Sequence, residues 1–541
     1  MVVRSESEHS RVTATTLRAM LNDGEELALV DVREEGVFSR GHLFAAACIA
    51  LSVLELDIGR LVPRKAVRLV LCDEDEALAS RAAVTLEHLG YENVAILAGG
   101  VPEWRSAGFE VFSGVNVPSK AFGEYIEHRY STPSLAPEEL KRRIDAGDDL
   151  VILDSRPMVE FEGRSIPGAI DCPGAELAYR VRQVASNPAT TVVVNCAGRT
   201  RSIIGAQSLI NAGIPNPVTA LRNGTMGWHL AGLELDLGKS RMAPLPGAAA
   251  LAAAQASAIA VARRFGVRKI TWAALLDLRA GSAARTVYCF DVRDPSEFAN
   301  GTLPGFDSAP GGQLVQATDQ FMATRHARVI LADTDGVRAV MTASWLVQMG
   351  LPDVAVLDGV GIDRFTQHAP PASMPAVRGV VPVISVSALR ECMSAGTATV
   401  IDLATSSQFR GGHIPGAWWA IRARLREGLP RVPGTRAIVL TSTDGRLAAL
   451  AANDARAFEQ RDVRVLDGGT KAWCRGGGAL EVSGAATGDA RMIDPPEDVW
   501  VRPYEQAGGA EQSMRAYLSW ELELVAQIKR EGVVYPAFPG A

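Results

Sequence analysis

Apolar and polar positions along this chain follow two periods that take turns. Short β-branched runs such as Leu29-Val30, Ile152-Leu153, Val192-Val193-Val194 and Val400-Ile401 predict buried strands. Between them, stretches such as Ile203, Ile204, Ala206, Leu209 and Ile210 put their apolar residues on one helical face. Strands alternating with helices predict an α/β fold, a mostly parallel sheet with helices on both faces.

The alternation is written four times. Each copy starts a helix after Ser or Thr, at Thr13, Ser134, Thr271 and Ser385. Each continues with an apolar strand ending in Asp31, Asp154, Asp291 or Asp402. A Gly or Gly/Pro turn follows: Gly41-His42, Ile166-Pro167-Gly168, Leu303-Pro304-Gly305 or Ile414-Pro415-Gly416. The copies close on a strand, a Gly-containing turn and an aromatic residue, Trp104, Trp228, Phe365 or Trp473. The aspartates lie 111 to 137 residues apart, a domain-sized repeat too long for a solenoid.

The copies are expected at 10–113, 130–236, 267–375 and 382–484. Residues 114–129 read as a linker, and 237–266 as an Ala-rich helix joining the halves of the chain. Alanine inserts poorly into bilayers, and Gln255, Ser257 and Arg263-Arg264 interrupt or end that stretch, so no membrane span is expected. The tail, 485–541, opens on Asp494-Pro495-Pro496-Glu497-Asp498 and then shows a helical period through Met514, Tyr517, Leu518, Leu522 and Val525. Such a helix is expected to dock on a domain or on a partner chain, which would make a homodimer.

Composition adds bounds. At 541 residues the chain exceeds one core, and a formal charge of −6 argues against general nucleic-acid binding. Seven cysteines, an odd number without close pairing, fit a reduced cytoplasmic compartment, as does a charged start from Met1 to Arg11. The eight histidines show no metal-ligand spacing, and neither a metal nor an organic cofactor is expected.

The candidate chemistry sits in the second copy. The strand Val192-Val193-Val194-Asn195 leads into Cys196, then Ala197, Gly198, Arg199, Thr200, Arg201 and Ser202, where a helix is expected to begin. A loop entering a helix N-terminus points free N–H groups and the positive dipole end at its contents, here a thiol. Two arginines add positive potential, so a thiolate and a bound anion are both expected. Arg199 and Arg201 are expected to orient the anion. Asp154 and Arg156 recur as Asp-x-Arg in the first three copies, which favours an ion pair bracing the loop. Glu160 is read as a brace too, Cys172 as a small packed residue, and His42 and His413 as turn residues.

Asp154-Ser155-Arg156, Ile166-Pro167-Gly168-Ala169, the Cys196 loop and Arg222-Asn223-Gly224 through Trp228 resemble the rhodanese-like sulfurtransferases. Four tandem copies are similar to the bacterial tetra-domain rhodaneses. The resemblance implies that the loop cysteine takes sulfane sulfur from a donor such as thiosulfate and becomes a persulfide. It then passes the sulfur to a thiol, cyanide or protein acceptor. It also implies that the six-residue loop, Cys196 to Arg201, goes with sulfur transfer, whereas seven residues go with the phosphatase and arsenate-reductase branch. Gly198 departs from the family pattern, lying two residues after the cysteine where many members have glycine three after.

Counting back 17 residues from the glycine after the helix, Gly90, Gly213 and Gly350, places Asp73 and Asp333 at the cysteine position of the first and third copies. Ser442 falls there in the fourth. None can form a persulfide, so one catalytic copy and three inactive ones are expected. The inactive copies leave a second reading open, a scaffold that binds partners around a Cys196 persulfide relay.

Overall fold

The computed structural model describes residues 9–368, 380–434, 436–482, 491–506 and 508–538. The expected end of the third copy at 375, the boundary near 484 and the first eight residues lie outside these. The four repeats form four sheets. In the second copy the order is Ser134–Leu135, Val218–Leu221, Thr191–Asn195, Leu150–Asp154, Ile170–Asp171, every pair parallel. The third and fourth copies repeat that order.

The helix starts follow local chemistry. Thr13, Thr271 and Ser385 each accept a hydrogen bond from the backbone N–H three residues on. In the second copy Ser134 lies in a strand instead, and Pro137 opens the helix with no side-chain cap.

The copies do not pack in chain order. The second and third share one apolar cluster, which takes in Ala254, Ala258, Val261 and Phe265 of the Ala-rich helix Ala248–Phe265. That helix packs on Glu176–Val184 of the second copy and Arg338–Gln348 of the third. Among the described residues no helix is long and apolar enough to cross a membrane. The first and fourth copies share another cluster, and Arg422 crosses between them to Glu55 at 2.7 Å. A further cross-link joins the first and third: Thr324–Arg325 adds an antiparallel strand to the edge of Leu27–Asp31.

The linker departs from expectation, and the tail takes one of its two expected roles. Residues 114–129 are largely a buried helix, Val117–Tyr130, whose residues Val117, Lys120, Phe122, Glu124 and Ile126 are all buried. The tail crosses the first copy, where the Trp500 N–H donates to Glu35 at 3.0 Å, and then forms the helix Ala510–Glu531. This tail helix docks on its own chain: Leu524 and Ile528 pack with Phe112, Val117 and Ala121, and Met514 and Leu518 with Met226. Its apolar stripe, expected for a domain or a partner chain, is therefore used within the molecule.

Candidate active site

The strand Thr191–Asn195 is buried along its whole length and delivers Cys196 at its end. The following helix begins at Thr200, two residues before the expected Ser202, so Arg201 and Ser202 lie in its first turn. First-turn N–H groups have no partner within the helix. The Cys196 thiol donates to the Ser202 hydroxyl at 3.4 Å, and that hydroxyl donates to the Arg199 carbonyl at 2.8 Å. The loop is held from behind by the 222–226 turn: the N–H groups of Thr225 and Met226 donate to the carbonyls of Cys196 and Ala197 at 2.8 and 3.0 Å. Gly224 has φ +54°, and a Cβ there would sit 2.2 Å from the Cys196 carbonyl oxygen. Only glycine allows that approach.

Asp154 and Arg156 brace this strand end. Arg156 donates to both Asp154 oxygens at 2.8 and 2.7 Å and to the Arg164 carbonyl at 2.6 Å. Asn195 completes the carboxylate's partners at 2.8 Å. The same pair recurs as Asp31–Arg33 and Asp291–Arg293, in copies without the cysteine. In the fourth copy residue 404 is alanine, and its backbone N–H reaches Asp402 instead. Asp154 and Arg156 thus tie the strand end to the 164 turn and to Asn195.

The loop arginines are largely committed to carboxylates. Arg199 donates to both oxygens of Glu124 at 2.8 Å and also pairs with Glu127. Arg201 donates to both oxygens of Glu160 at 2.9 and 2.8 Å and to Gln313 of the third copy at 3.3 Å. Burial acts to raise the Glu160 carboxyl, but Arg201 outweighs it and holds the group at about 2. The positive potential expected of the two arginines is therefore partly neutralised where it arises.

In the sister copies the equivalent loops hold a side chain of their own. The residue after the equivalent strand is Asp73, Asp333 and Ser442, the identities expected from counting. Asp73 accepts from the N–H groups of Glu76, Leu78 and Ala79 at 2.7, 2.7 and 3.1 Å. Asp333 accepts from Gly336 and Ala339 at 2.9 and 2.8 Å. These donors lie three, five and six residues on, the places of Arg199, Arg201 and Ser202. In these two copies the loop N–H groups cradle a carboxyl oxygen that the chain itself supplies, and burial raises both carboxyls.

Cys196 lies in a chamber of about 230 Å³ that no single repeat builds. The loop and Met226 form one wall, Gln313 and Gln316 of the third copy another, and Lys120 of the linker helix a third. Trp500, Tyr504, Tyr517 and Glu521 of the tail line a further side. A Cβ at Gly198 would lie 2.9 Å from the Met226 methyl, 3.3 Å from Glu521 Oε2 and 3.5 Å from the Tyr517 ring, so the tail rests on the loop itself. Glu521 is 2% exposed; Tyr517 donates to its Oε1 at 2.9 Å, while its Oε2 has no partner among the described residues.

Enclosure changes the electrostatics. Cys196 is 2% exposed, and burial pushes its thiol up, against Arg201 and the hydrogen bonds of Ser202. The helix terminus and the arginines predict a readily formed thiolate; burial of the sulfur works against it. Cys172 is fully buried in the apolar cluster shared by the second and third copies, as a packing residue. His42 and His413 stack on Phe38 and Phe409 at 3.8 and 3.9 Å. All seven cysteines are free, and among the described residues no group of three or more His, Cys, Asp or Glu could hold a metal ion.

Lys120, Glu124, Tyr517 and Glu521 were not singled out for the site by the sequence. One signal was available: Glu521 puts a carboxylate on the apolar stripe of the tail helix, between Leu518 and Leu524.

The rhodanese-like domain family matches four segments, residues 13–107, 136–231, 273–368 and 385–475, and the chain belongs to this family. It is similar to a thiosulfate sulfurtransferase from Pseudomonas aeruginosa known from a crystal structure. The two are 44% identical, with a TM-score of 0.93 over 97% of this chain and 100% of that one. The putative thiosulfate sulfurtransferase SseB of Mycobacterium tuberculosis is 26% identical over 204 residues, 31% of this chain and 71% of SseB. An HTH-type transcriptional regulator of the same organism is 35% identical over 100 residues, 18% of this chain. The chain spans only 43% of that regulator's length.

Proposed function

We propose that the protein is a sulfurtransferase in which Cys196 carries sulfane sulfur as a persulfide between an anionic donor, such as thiosulfate or a small persulfide, and a thiophilic acceptor. The other three copies take no covalent part. One observation carries the reading. Aspartate places an oxygen two bonds beyond Cβ, as a cysteine persulfide places its outer sulfur, and Asp73 and Asp333 put that atom on the loop N–H groups. A persulfide on Cys196 would put its anionic end on the N–H groups of Arg199, Arg201 and Ser202.

In the first half-reaction Cys196 sulfur bonds to the donor's outer sulfur and the donor's S–S bond breaks. From thiosulfate the electron pair leaves on sulfite, which takes the thiol proton as bisulfite. In the second half an acceptor such as cyanide takes the outer sulfur and leaves the thiolate. Sulfur-transfer chemistry suits a buried thiol, because binding of the donor, not bulk water, surrounds the reacting atoms.

The test is thiocyanate formation from thiosulfate and cyanide, wild type beside Cys196→Ser. Activity lost in the variant supports the proposal; activity retained overturns it. The relay reading rests on the three copies that carry Asp73, Asp333 and Ser442 in place of a loop cysteine. It predicts little thiocyanate but a persulfide on Cys196, read by intact mass, after exposure to a protein or small-thiol persulfide. Turnover of an aryl phosphate instead would assign the cradle to phosphate chemistry.

A further inference from the structure

With the loop arginines held by carboxylates, the chamber still contains one buried cation from outside the repeat. Lys120, on the linker helix, is 3% exposed and lines the chamber with Cys196. Its ammonium lies over three rings of the tail, 5.0 Å from the centroid of Trp500 and 5.1 Å from those of Tyr517 and Trp520. Among the described residues its Nζ makes no hydrogen bond or ion pair. The remaining cation of the lining, Arg502, is exposed and 3.5 Å from Glu505.

A π face attracts a cation without consuming its N–H donors as a carboxylate does. An ammonium held this way is fixed in place yet keeps donors for an anion entering the chamber. Resting on the sulfur-transfer reading, we infer that Lys120 is the receptor for the sulfonate end of a thiosulfate-type dianion, positioning its outer sulfur for Cys196. The preference for an anionic donor is then set by the linker helix and the tail. As the donor's S–S bond breaks, the charge gathering on the departing sulfite is met by the same ammonium.

The groups around Lys120 are compatible with this. Glu521 faces it from the tail helix, Asp319 from the third copy, Glu35 from the first and Arg201 from the second. Burial pushes Glu521 up to about 7 and Asp319 up to about 6, and raises Glu35. Burial therefore favours the neutral carboxyl most strongly at Glu521, and none of the three carboxyls takes an N–H donor of the ammonium. Burial lowers Lys120 itself to about 8, so it is mostly charged at pH 7.

The experiment compares wild type with Lys120→Met and Lys120→Arg in two readouts. The first is the KM for thiosulfate in thiocyanate formation. The second is the ratio of alkylation rates of Cys196 by iodoacetate and by iodoacetamide, nearly equal in size but different in charge, read by peptide mass spectrometry. Exposed Cys474 is the internal control. Loss of the cation should raise KM about ten- to a hundredfold, the worth of a hydrogen bond to a charged group. The iodoacetate preference at Cys196 should fall with it, while the Cys474 ratio stays constant and Lys120→Arg keeps most of the wild-type preference. Unchanged KM and ratio in Lys120→Met overturn the inference and leave sulfur transfer standing. A wild type without sulfur transfer but with a Lys120-dependent alkylation ratio overturns the reaction and leaves the anion receptor. If the methionine variant does not fold, Lys120→Gln removes the charge while keeping a polar head, and the same two outcomes apply.

Discussion

Glu124, on the helix between the first and second repeats, receives the guanidinium of Arg199 through both carboxylate oxygens at 2.8 Å, with Glu124 fully buried. The linker is therefore locked to the cysteine loop by a buried ion pair. Removing one partner of such a pair strands the other charge and typically costs about 3–5 kcal/mol. Arg199→Leu should lower the unfolding midpoint by several degrees in thermal melts. Glu124→Gln should cost less, because Glu127 remains beside the guanidinium.

The cover over the cysteine can be loosened without touching it. Leu524 is fully buried between the tail helix and the linker helix, and its truncation to alanine should cost about 2–5 kcal/mol of local packing. Opening of the tail then becomes more frequent. Leu524→Ala should speed iodoacetamide labelling of Cys196 at least severalfold, while labelling of Cys474 is unchanged. An equal Cys196 rate would mean that the tail does not control access.

Two other cysteines flank strand ends but lie away from the cradle. Cys72 closes the strand Arg68–Cys72 and Cys172 lies in the core; burial raises both thiols well above their usual range. Cys72→Ala and Cys172→Ala should retain thiocyanate formation within about twofold, with small losses of stability. A collapse of activity in Cys172→Ala, with the fold intact, would give that thiol a resolving role.

Asp171 carries a pH signature. Its carboxyl is fully buried, neither oxygen has a partner among the described residues, and burial, aided by Asp154, pushes it up to about 8. The native state then keeps a proton that the unfolded chain releases near pH 4. Stability contributed through this group therefore falls as pH climbs from about 4 to 8. Asp171→Asn should raise the melting temperature by several degrees at pH 8.5 and by little at pH 4.5.

Much of the architecture was legible because it is local. Apolar runs ending in Asp, the Gly turns and the strand–Cys196–helix order each lie within a few residues, and repetition aligned Asp73, Asp333 and Ser442 with Cys196. The Asp154–Arg156 brace was legible for the same reason, its partners being two residues apart. The chamber was not, because its walls come from four distant stretches. Glu124 and Arg199 are 75 residues apart, and Thr200 and Glu521 are 321 apart. No periodicity encodes such meetings. The tail's apolar stripe announced a docking helix but not the surface beneath it. The linker was read through its position between repeats, although its buried Lys120 and Glu124 carry the contacts that shape the site.

The cover also sets an order in time. Synthesis runs from the N-terminus at about 5–20 residues per second, so the stretch from Cys196 to Trp500 takes on the order of tens of seconds. Through that interval the second repeat can fold with its thiol uncovered, because every residue that closes the chamber from the tail has yet to emerge. The newborn protein is thus most open to oxidants and electrophiles before the helix Ala510–Glu531 is made. Synthesis of that helix is what gives Cys196 its cover.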